Sequence, residues 1–310
     1  MARMVFAFLV FPGFVFSALL GLVSTWVDRK VTARVQWRVG PPLLQPFYDF
    51  LKLMGKETLL PASGNRVVFL AAPVVSLAAV TLVSTILWLA NLTGGAFVGD
   101  LIVVIYLLLL PSLSLILGGL ASGNPLAVTG ASREMKLILA YELPFLICLA
   151  VAILKSGLGI TLEALAGSPS IASISGALAA VVCLLCLQAK LGFTPFDVAE
   201  AETEIMGGPY IEYSGAPLAL FKLSQAILLF VLPVFLITVF LGGIRLRGLG
   251  ILWFLLEYVA ILALIVVIKN TNPRIRVDQA IRFFWRILTP VAIVAFLLAA
   301  VGQAVGLSWL

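Results

Sequence analysis

The sequence predicts an all-α membrane protein, a single integral domain over 1–310 with about eight transmembrane helices and one amphipathic helix on the cytoplasmic side. Three observations carry this. The chain is 62% hydrophobic and only 11% charged, against roughly 25% charged in soluble domains, and its mean hydropathy is +1.18. Its apolar residues gather into runs near the ~20 residues that cross a bilayer. Its Lys and Arg concentrate in alternate connections between those runs.

Eight runs qualify: 4–27, 67–92, 99–121, 135–154, 171–190, 217–241, 249–268 and 287–308. Pro12, Pro73, Pro111, Pro144 and Pro233 fall inside them, which bundles tolerate where neighbours satisfy the freed carbonyls. Gly118-Gly119 and Gly176-Ala177 suit close helix packing. The first run exceeds a signal-peptide h-region and ends at Asp28-Arg29-Lys30 without a small-residue cleavage site, so it reads as a retained helix. There is no internal repeat of the kind many secondary transporters carry. With the N-terminus outside, segments 28–66, 122–136, 190–222 and 269–286 face the cytoplasm and hold sixteen of the twenty Lys and Arg. Arg3, Lys155, Arg245 and Arg247 remain outside. The bias puts both termini outside.

Within 28–66, Leu44, Phe47, Phe50, Leu51 and Met54 recur at helical spacing while Asp49, Lys52 and Lys56 fall on the other face. This predicts an amphipathic helix over about 43–55 at the membrane surface. It reads either as a surface brace or as a wall of an interface with peripheral subunits.

Composition excludes several chemistries. The +6 net charge reads as orientation of a membrane protein rather than nucleic-acid binding. No His is present, which removes the usual haem and metal ligand and the triad base. Cys148, Cys183 and Cys186 cannot supply a four-thiolate cluster. Cys183 and Cys186 have redox-motif spacing, but they lie in an apolar helical run, where Cys packs as a small hydrophobe.

Five of the fourteen carboxylates fall inside sixteen residues: Asp197, Glu200, Glu202, Glu204 and Glu212. No Lys or Arg lies between Lys190 and Lys222. Pro195-Phe196 before Asp197 reads as a helix start, with Asp197, Glu200 and Glu204 on one face and Glu202 on another. Such carboxylates raise one another's pKa and exchange protons near neutral pH. A row of them makes a proton relay; the alternative is a solvated acidic loop over about 191–216. The acids alternate with Val, Ala, Ile and Met, and that interleaving argues for burial.

Glu142 lies about two turns inside a spanning run, where a carboxylate costs about 2.5–3.5 kcal/mol unless it faces the bundle. Glu134 and Lys136, just before it, read as interfacial anchors, and Arg133 is too far along the helix to reach Glu142. Glu257, beside Tyr258 in the seventh run, fits a relay or a helix–helix pair equally. Arg29, Arg34, Arg38 and the group Lys269, Arg274, Arg276, Arg282 and Arg286 fit orientation and headgroup contact or a docking floor for a soluble partner.

The motifs carry a resemblance. Asp28-Arg-Lys-Val-Thr-Ala-Arg34-Val-Gln-Trp-Arg38-Val-Gly-Pro-Pro-Leu-Leu-Gln-Pro-x-x-Asp49-x-x-Lys52 resembles one signature of the eight-span heel subunit of respiratory complex I. Pro195-Phe-Asp-x-x-Glu-Ala-Glu-x-Glu, followed by Glu212-Tyr-Ser-Gly215, resembles the second, and Arg133 to Glu142 a third. Two departures stand out. Gly40-Pro41-Pro42 runs straight into Leu43-Leu44-Gln45, without the longer complex I insertion. Gln225, with Lys222 nearby, stands where complex I typically has a carboxylate. Both departures resemble the membrane anchor subunits of archaeal group 4 membrane-bound nickel–iron hydrogenases and related ferredoxin-linked sulfur reductases.

The resemblance implies a plasma-membrane subunit of a prokaryotic oxidoreductase, without a redox centre of its own. Nickel–iron and iron–sulfur clusters are expected in partner subunits. The implied partners are peripheral hydrogenase-like and iron–sulfur subunits and other membrane ion-translocating subunits. Asp197, Glu200, Glu202, Glu204, Glu212 and Glu142 would be ion-coupling acids, with Glu257 a candidate extension. Arg29, Arg34, Arg38, Asp49 and Lys52, with Arg274 and Arg276, would form the subunit interface. The alternatives are the quinone-site subunit of complex I, a stand-alone ion transporter, and a purely structural anchor.

Overall fold

The computed structural model describes residues 2–62, 64–95, 97–244, 248–307 and 309, and among them every regular element is helical. In chain order these are α1 (Ala2–Leu9), α2 (Phe14–Val35), α3 (Gln45–Met54), α4 (Arg66–Thr93), α5 (Asp100–Ala121), α6 (Pro125–Lys155), α7 (Leu162–Gly167), α8 (Ile174–Lys190), α9 (Glu202–Ile205), α10 (Gly215–Leu236), α11 (Gly250–Thr271), α12 (Val277–Phe283) and α13 (Thr289–Val305). Wider π-type turns extend α10 over Ile237–Leu241 and join α12 to α13 over Phe284–Leu288.

Among the described residues, seven helical stretches are long and apolar enough to cross a membrane. The eighth expected run is the 17-residue apolar α8, shorter than the expected 171–190 because 170–172 form a separate 3-10 turn. At ~1.5 Å per residue it still covers about 26 Å. The first run is interrupted between α1 and α2 around Pro12 and Gly13, whereas Pro73, Pro111, Pro144 and Pro233 sit inside helices as expected.

The layering follows from apolarity. The most apolar stretch of the α10 span is 94% buried inside the bundle, and that of α11 only 22%. A helix apolar all round is stable either among other helices or against lipid. α10 takes the first place, against α2 and α4, and α11 the second. A second sheaf packs α6 against α5, α8 and α13. One large cluster of buried side chains, including Trp88, Tyr141, Phe145, Phe235 and Phe284, joins the two sheaves.

Long-range hydrogen bonds sort the connections into two ends. At one end, Lys269 bonds Asp28 at 2.7 Å, Ile275 N donates to Pro195 O at 3.2 Å, and Asn65 N donates to Ala121 O at 2.9 Å. At the other, Leu162 N donates to Asp100 Oδ1 at 2.9 Å, Ile244 N to Asn91 Oδ1 at 2.9 Å, and Ile174 N to Trp309 O at 3.0 Å. The first end carries the four basic segments singled out by the charge bias. Of the basic residues expected at the opposite end, the Arg3 side chain, Arg245 and Arg247 lie outside the described residues.

The amphipathic helix forms as α3, with a rotated face. Pro46, Phe47, Phe50 and Leu53 pack toward α2 and α10, while Leu44, Leu51 and Met54 are exposed. Asp49 turns inward to Arg29 of α2 at 2.6 Å. That bridge and a Gln45 hydrogen bond fix the roll of the helix.

Candidate functional site

The acidic segment does not make the expected helix. Residues 196–201 run as irregular chain with a turn at 199–200, and only Glu202–Ile205 form the short α9. The reason lies in the backbone partners. Pro195 O, which a helix would offer to residue 199, accepts instead from Ile275 N. The acids therefore point different ways rather than sharing one face. The interleaved apolar residues are the anchors: Phe196, Val198, Ala199, Ala201 and Ile205 are all buried.

The segment is seated on α6 and α5 by two glycines. A Cβ at Gly130 would stand 2.6 Å from Pro209 Cδ and 3.0 Å from Ala199 O. A Cβ at Gly118 would meet the Tyr213 hydroxyl at 2.2 Å. With Gly118 bare, Tyr213 stacks on Phe69 at 4.0 Å and donates to Phe69 O at 3.0 Å.

Cations absent from the segment arrive from elsewhere. Arg274 donates to both Asp197 oxygens, at 2.8 and 2.5 Å. Arg133 holds Glu204 at 2.5 Å, and that hydrogen bond pulls the Glu204 carboxyl below the usual carboxylate range. Asn124 Nδ2 donates to Glu212 at 2.5 Å. Glu202 and Glu204 remain exposed while Asp197, Glu200 and Glu212 are half-buried, so the burial expected for the whole row holds only in part.

Glu200 is the inward member. It accepts from Gln225 Nε2 at 2.9 Å, and the same amide donates to the Tyr210 hydroxyl at 3.0 Å. Lys222 completes the group, donating to Gln225 Oε1 at 3.2 Å above the Tyr210 ring. Burial pushes the Glu200 carboxyl up, against the opposing pull of Lys222 and Gln225. Gln225, the residue that departs from the complex I pattern, thus sits directly on Glu200, with Lys222 beside it.

Below Glu200 lies a cavity of about 40 Å³ lined by Glu134, Lys190, Ser112, Tyr210 and Gln225 among others. At ~10–15 Å³ each, that is room for roughly three waters. Glu134 is 6% exposed. It is an internal acid, not the interfacial anchor the sequence suggested, whereas Lys136 is exposed. The signal was present: Glu134 lies seven and eight residues before Tyr141 and Glu142, on one helical stripe.

Lys190 carries the line onward. Its ammonium lies 2.7 Å from Glu142, 5.0 Å from the Tyr141 ring centroid and 4.8 Å from that of Phe145. Its side chain is 2% exposed, and that of Glu142 18%. Glu142 is about 26 Å along α6 from Pro125 and about 20 Å from Lys155, well inside the helix. Glu200, Glu134, Lys190 and Glu142 thus form one descending series. Glu257 is not among the residues lining that cavity; it is partly buried on α11 beside Tyr258, which hydrogen-bonds Ser24 at 2.6 Å.

The expected interface residues divide. Arg29 with Asp49, and Arg274 with Asp197, satisfy each other inside the chain. Burial works against the ionised Asp49, but the Arg29 and Gln45 hydrogen bonds prevail and hold its carboxyl low. Arg34, Arg38, Lys52 and Arg276 are exposed. Near them Trp37 is 98% exposed and Val39 94%. Among the described residues no group of three or more His, Cys, Asp or Glu could hold a metal ion.

The sequence model of the family described as NADH dehydrogenase matches residues 7–300. This chain belongs to that family. It is 34% identical over 323 residues to the H-type subunit of the NADH-quinone oxidoreductase of Thermomicrobium roseum, covering 94% of each chain. It is 32% identical to the corresponding NADH-quinone oxidoreductase chain of Geobacillus kaustophilus, over 89% of this chain and 87% of that one. Among solved structures, a chain of the membrane-bound sulfane sulfur reductase, an archaeal respiratory membrane complex, superposes with a TM-score of 0.85 at 27% identity, over 96% of this chain and 100% of that one. As an NADH dehydrogenase family member with seven span-length helices, the chain is a multi-pass membrane subunit of a complex I-type oxidoreductase.

Proposed function

We propose that this chain anchors the peripheral redox arm of a ferredoxin-linked respiratory complex, of the membrane-bound hydrogenase or sulfur reductase type, and couples electron transfer to H⁺ or Na⁺ translocation. The observation that carries the coupling role is the series Glu200, Glu134, Lys190 and Glu142: the first three line one cavity with room for water, and Lys190 passes the line on to Glu142 through their ion pair. Carboxylates in such a series exchange protons with their neighbours, and a charge change at one end shifts the occupancy of the next. Reduction in the docked arm would act first on the exposed acids Glu202 and Glu204, then on Glu200.

The ferredoxin-linked reading rests on Lys222 and Gln225. The Gln225 amide, where the resemblance to complex I implies a carboxylate, lies next to Glu200 with the Lys222 ammonium beside it. The likeness to a chain of the sulfane sulfur reductase complex agrees with it. A second reading, a quinone site, draws on the cavity between α2, α3 and α10 that Arg29, Phe50, Lys222 and Leu229 line, and on the likeness to chains of bacterial NADH-quinone oxidoreductases. Purification of the native complex distinguishes them: co-purifying nickel or a sulfur reductase activity with reduced ferredoxin supports the proposal, and quinone-dependent turnover overturns it. For the coupling role, Glu204→Gln and Glu142→Gln should stop ion uptake while the arm still reduces artificial acceptors. Unchanged uptake in both would remove the acids from the mechanism.

A further inference from the structure

A second cavity, of about 820 Å³, opens between the basic ends of α8, α11 and α12 and plays no part in the series above. Its walls are apolar, with Leu185, Ile268, Phe283 and Ile287 prominent, and Phe196 at its border with the acidic segment. Its polar rim carries three arginines, Arg274, Arg282 and Arg286, and no described carboxylate lines it. Arg274 is matched by Asp197. Arg282 Nε donates to the Asp278 backbone carbonyl, at 3.3 Å, and Arg282 and Arg286 are exposed on the bundle's outer face. Arg282 and Arg286 both belong to the Val277–Val305 span.

We infer that this cavity binds an anionic phospholipid, with the acyl chains against Ile268, Phe283 and Ile287 and the headgroup phosphate on Arg282 and Arg286. Two guanidinium groups at the membrane interface suit a phosphate, which each can grip with paired hydrogen bonds. Basic pockets between spanning helices on the cytoplasmic side are where such headgroups collect. An apolar chamber of this size, within the ~300–1,000 Å³ range of ligand pockets, demands an occupant with hydrocarbon, which a free phosphate ion lacks. Because Pro195, Phe196 and Arg274 form part of the lining, the bound lipid abuts the acidic segment. The site is independent of the electron acceptor and of the coupling role.

The test uses the intact complex, delipidated in detergent and titrated with phosphatidylglycerol, phosphatidylcholine or inorganic phosphate, and read by native mass spectrometry. The wild type should retain about one more phosphatidylglycerol than the Arg282→Gln/Arg286→Gln variant, with no such gain for phosphatidylcholine and no competition from millimolar phosphate. Ile287→Trp, which puts an indole where the acyl chains would lie and leaves the arginines, should lose the same lipid and keeps the test available if the double variant fails to assemble. Equal phosphatidylglycerol retention in wild type and Ile287→Trp overturns the proposal. So does displacement by phosphate alone, which means an ion site, or a cross-link from Ile287→Cys to a helix of another subunit.

Discussion

The Lys190–Glu142 pair permits a quantitative prediction. At 2.7 Å, the attraction between two unit charges at an effective dielectric near 20 is about 6 kcal/mol. Desolvation of both ions, several kcal/mol each, offsets most of that. The net worth of the pair is therefore small, but the cost of breaking it is not. Glu142→Gln leaves an ammonium with a 2% exposed side chain over two aromatic rings, without its counter-ion. Removing one partner of such a pair costs about 3–5 kcal/mol. Lys190→Met/Glu142→Gln removes both charges and should fall within about 2 kcal/mol of the wild type. The assay is a double-mutant cycle on the purified complex in detergent, following the thermal midpoint of subunit dissociation. The single substitutions should each lower it well below the double variant. Additive losses, with the double variant the least stable, would refute the claim that the two groups are a mutually dependent buried pair.

Other outcomes follow from the same geometry. Gly130→Ala brings a methyl to 2.6 Å from Pro209 Cδ, so the acidic segment must lift by a fraction of an ångström, at about 1–3 kcal/mol; faster hydrogen exchange over 196–212 should report it, with little change at α10. Burial raises the Glu200 pKa, so its protonated form favours docking of the segment, and that contribution fades as pH rises through the raised value. Exchange over 196–205 should quicken with pH in the wild type beyond the intrinsic rate change, and Glu200→Gln should flatten that excess. Glu204 has the opposite sign: the Arg133 hydrogen bond lowers its pKa, so its tether is present above the ordinary carboxyl value and lost as pH falls through the lowered one. Exchange near Arg133 should rise on acidification in the wild type and be insensitive to it in Glu204→Gln.

The spans were legible because apolar length is a local property: each run reports its own lipid exposure. The end at which the charges gather was legible for the same reason, through Lys and Arg counted connection by connection. The roll of α3 was not, because Asp49 is turned inward by Arg29, twenty residues away. The burial of the acidic segment showed in its interleaved Val198, Ala199 and Ala201, yet its helix did not form, because Ile275 competes for the Pro195 carbonyl. Arg133 and Arg274 reach Glu204 and Asp197 across 71 and 77 residues, a pairing no spacing rule contains. Glu134 was different. Its stripe with Tyr141 and Glu142 was in the sequence, and only its proximity to Lys136 and the helix start suggested an interface.

Glu134 also gives the most direct test of the coupling role, because it bridges the loop acid Glu200 and the membrane pair without touching either surface. The complex carrying Glu134→Gln is reconstituted in proteoliposomes, and ion uptake per electron transferred is measured beside the wild type and Glu134→Asp. The series predicts that Glu134→Gln keeps electron transfer to artificial acceptors but loses most of its ion uptake, with partial recovery in Glu134→Asp. A wild-type ion-to-electron ratio in Glu134→Gln would contradict it.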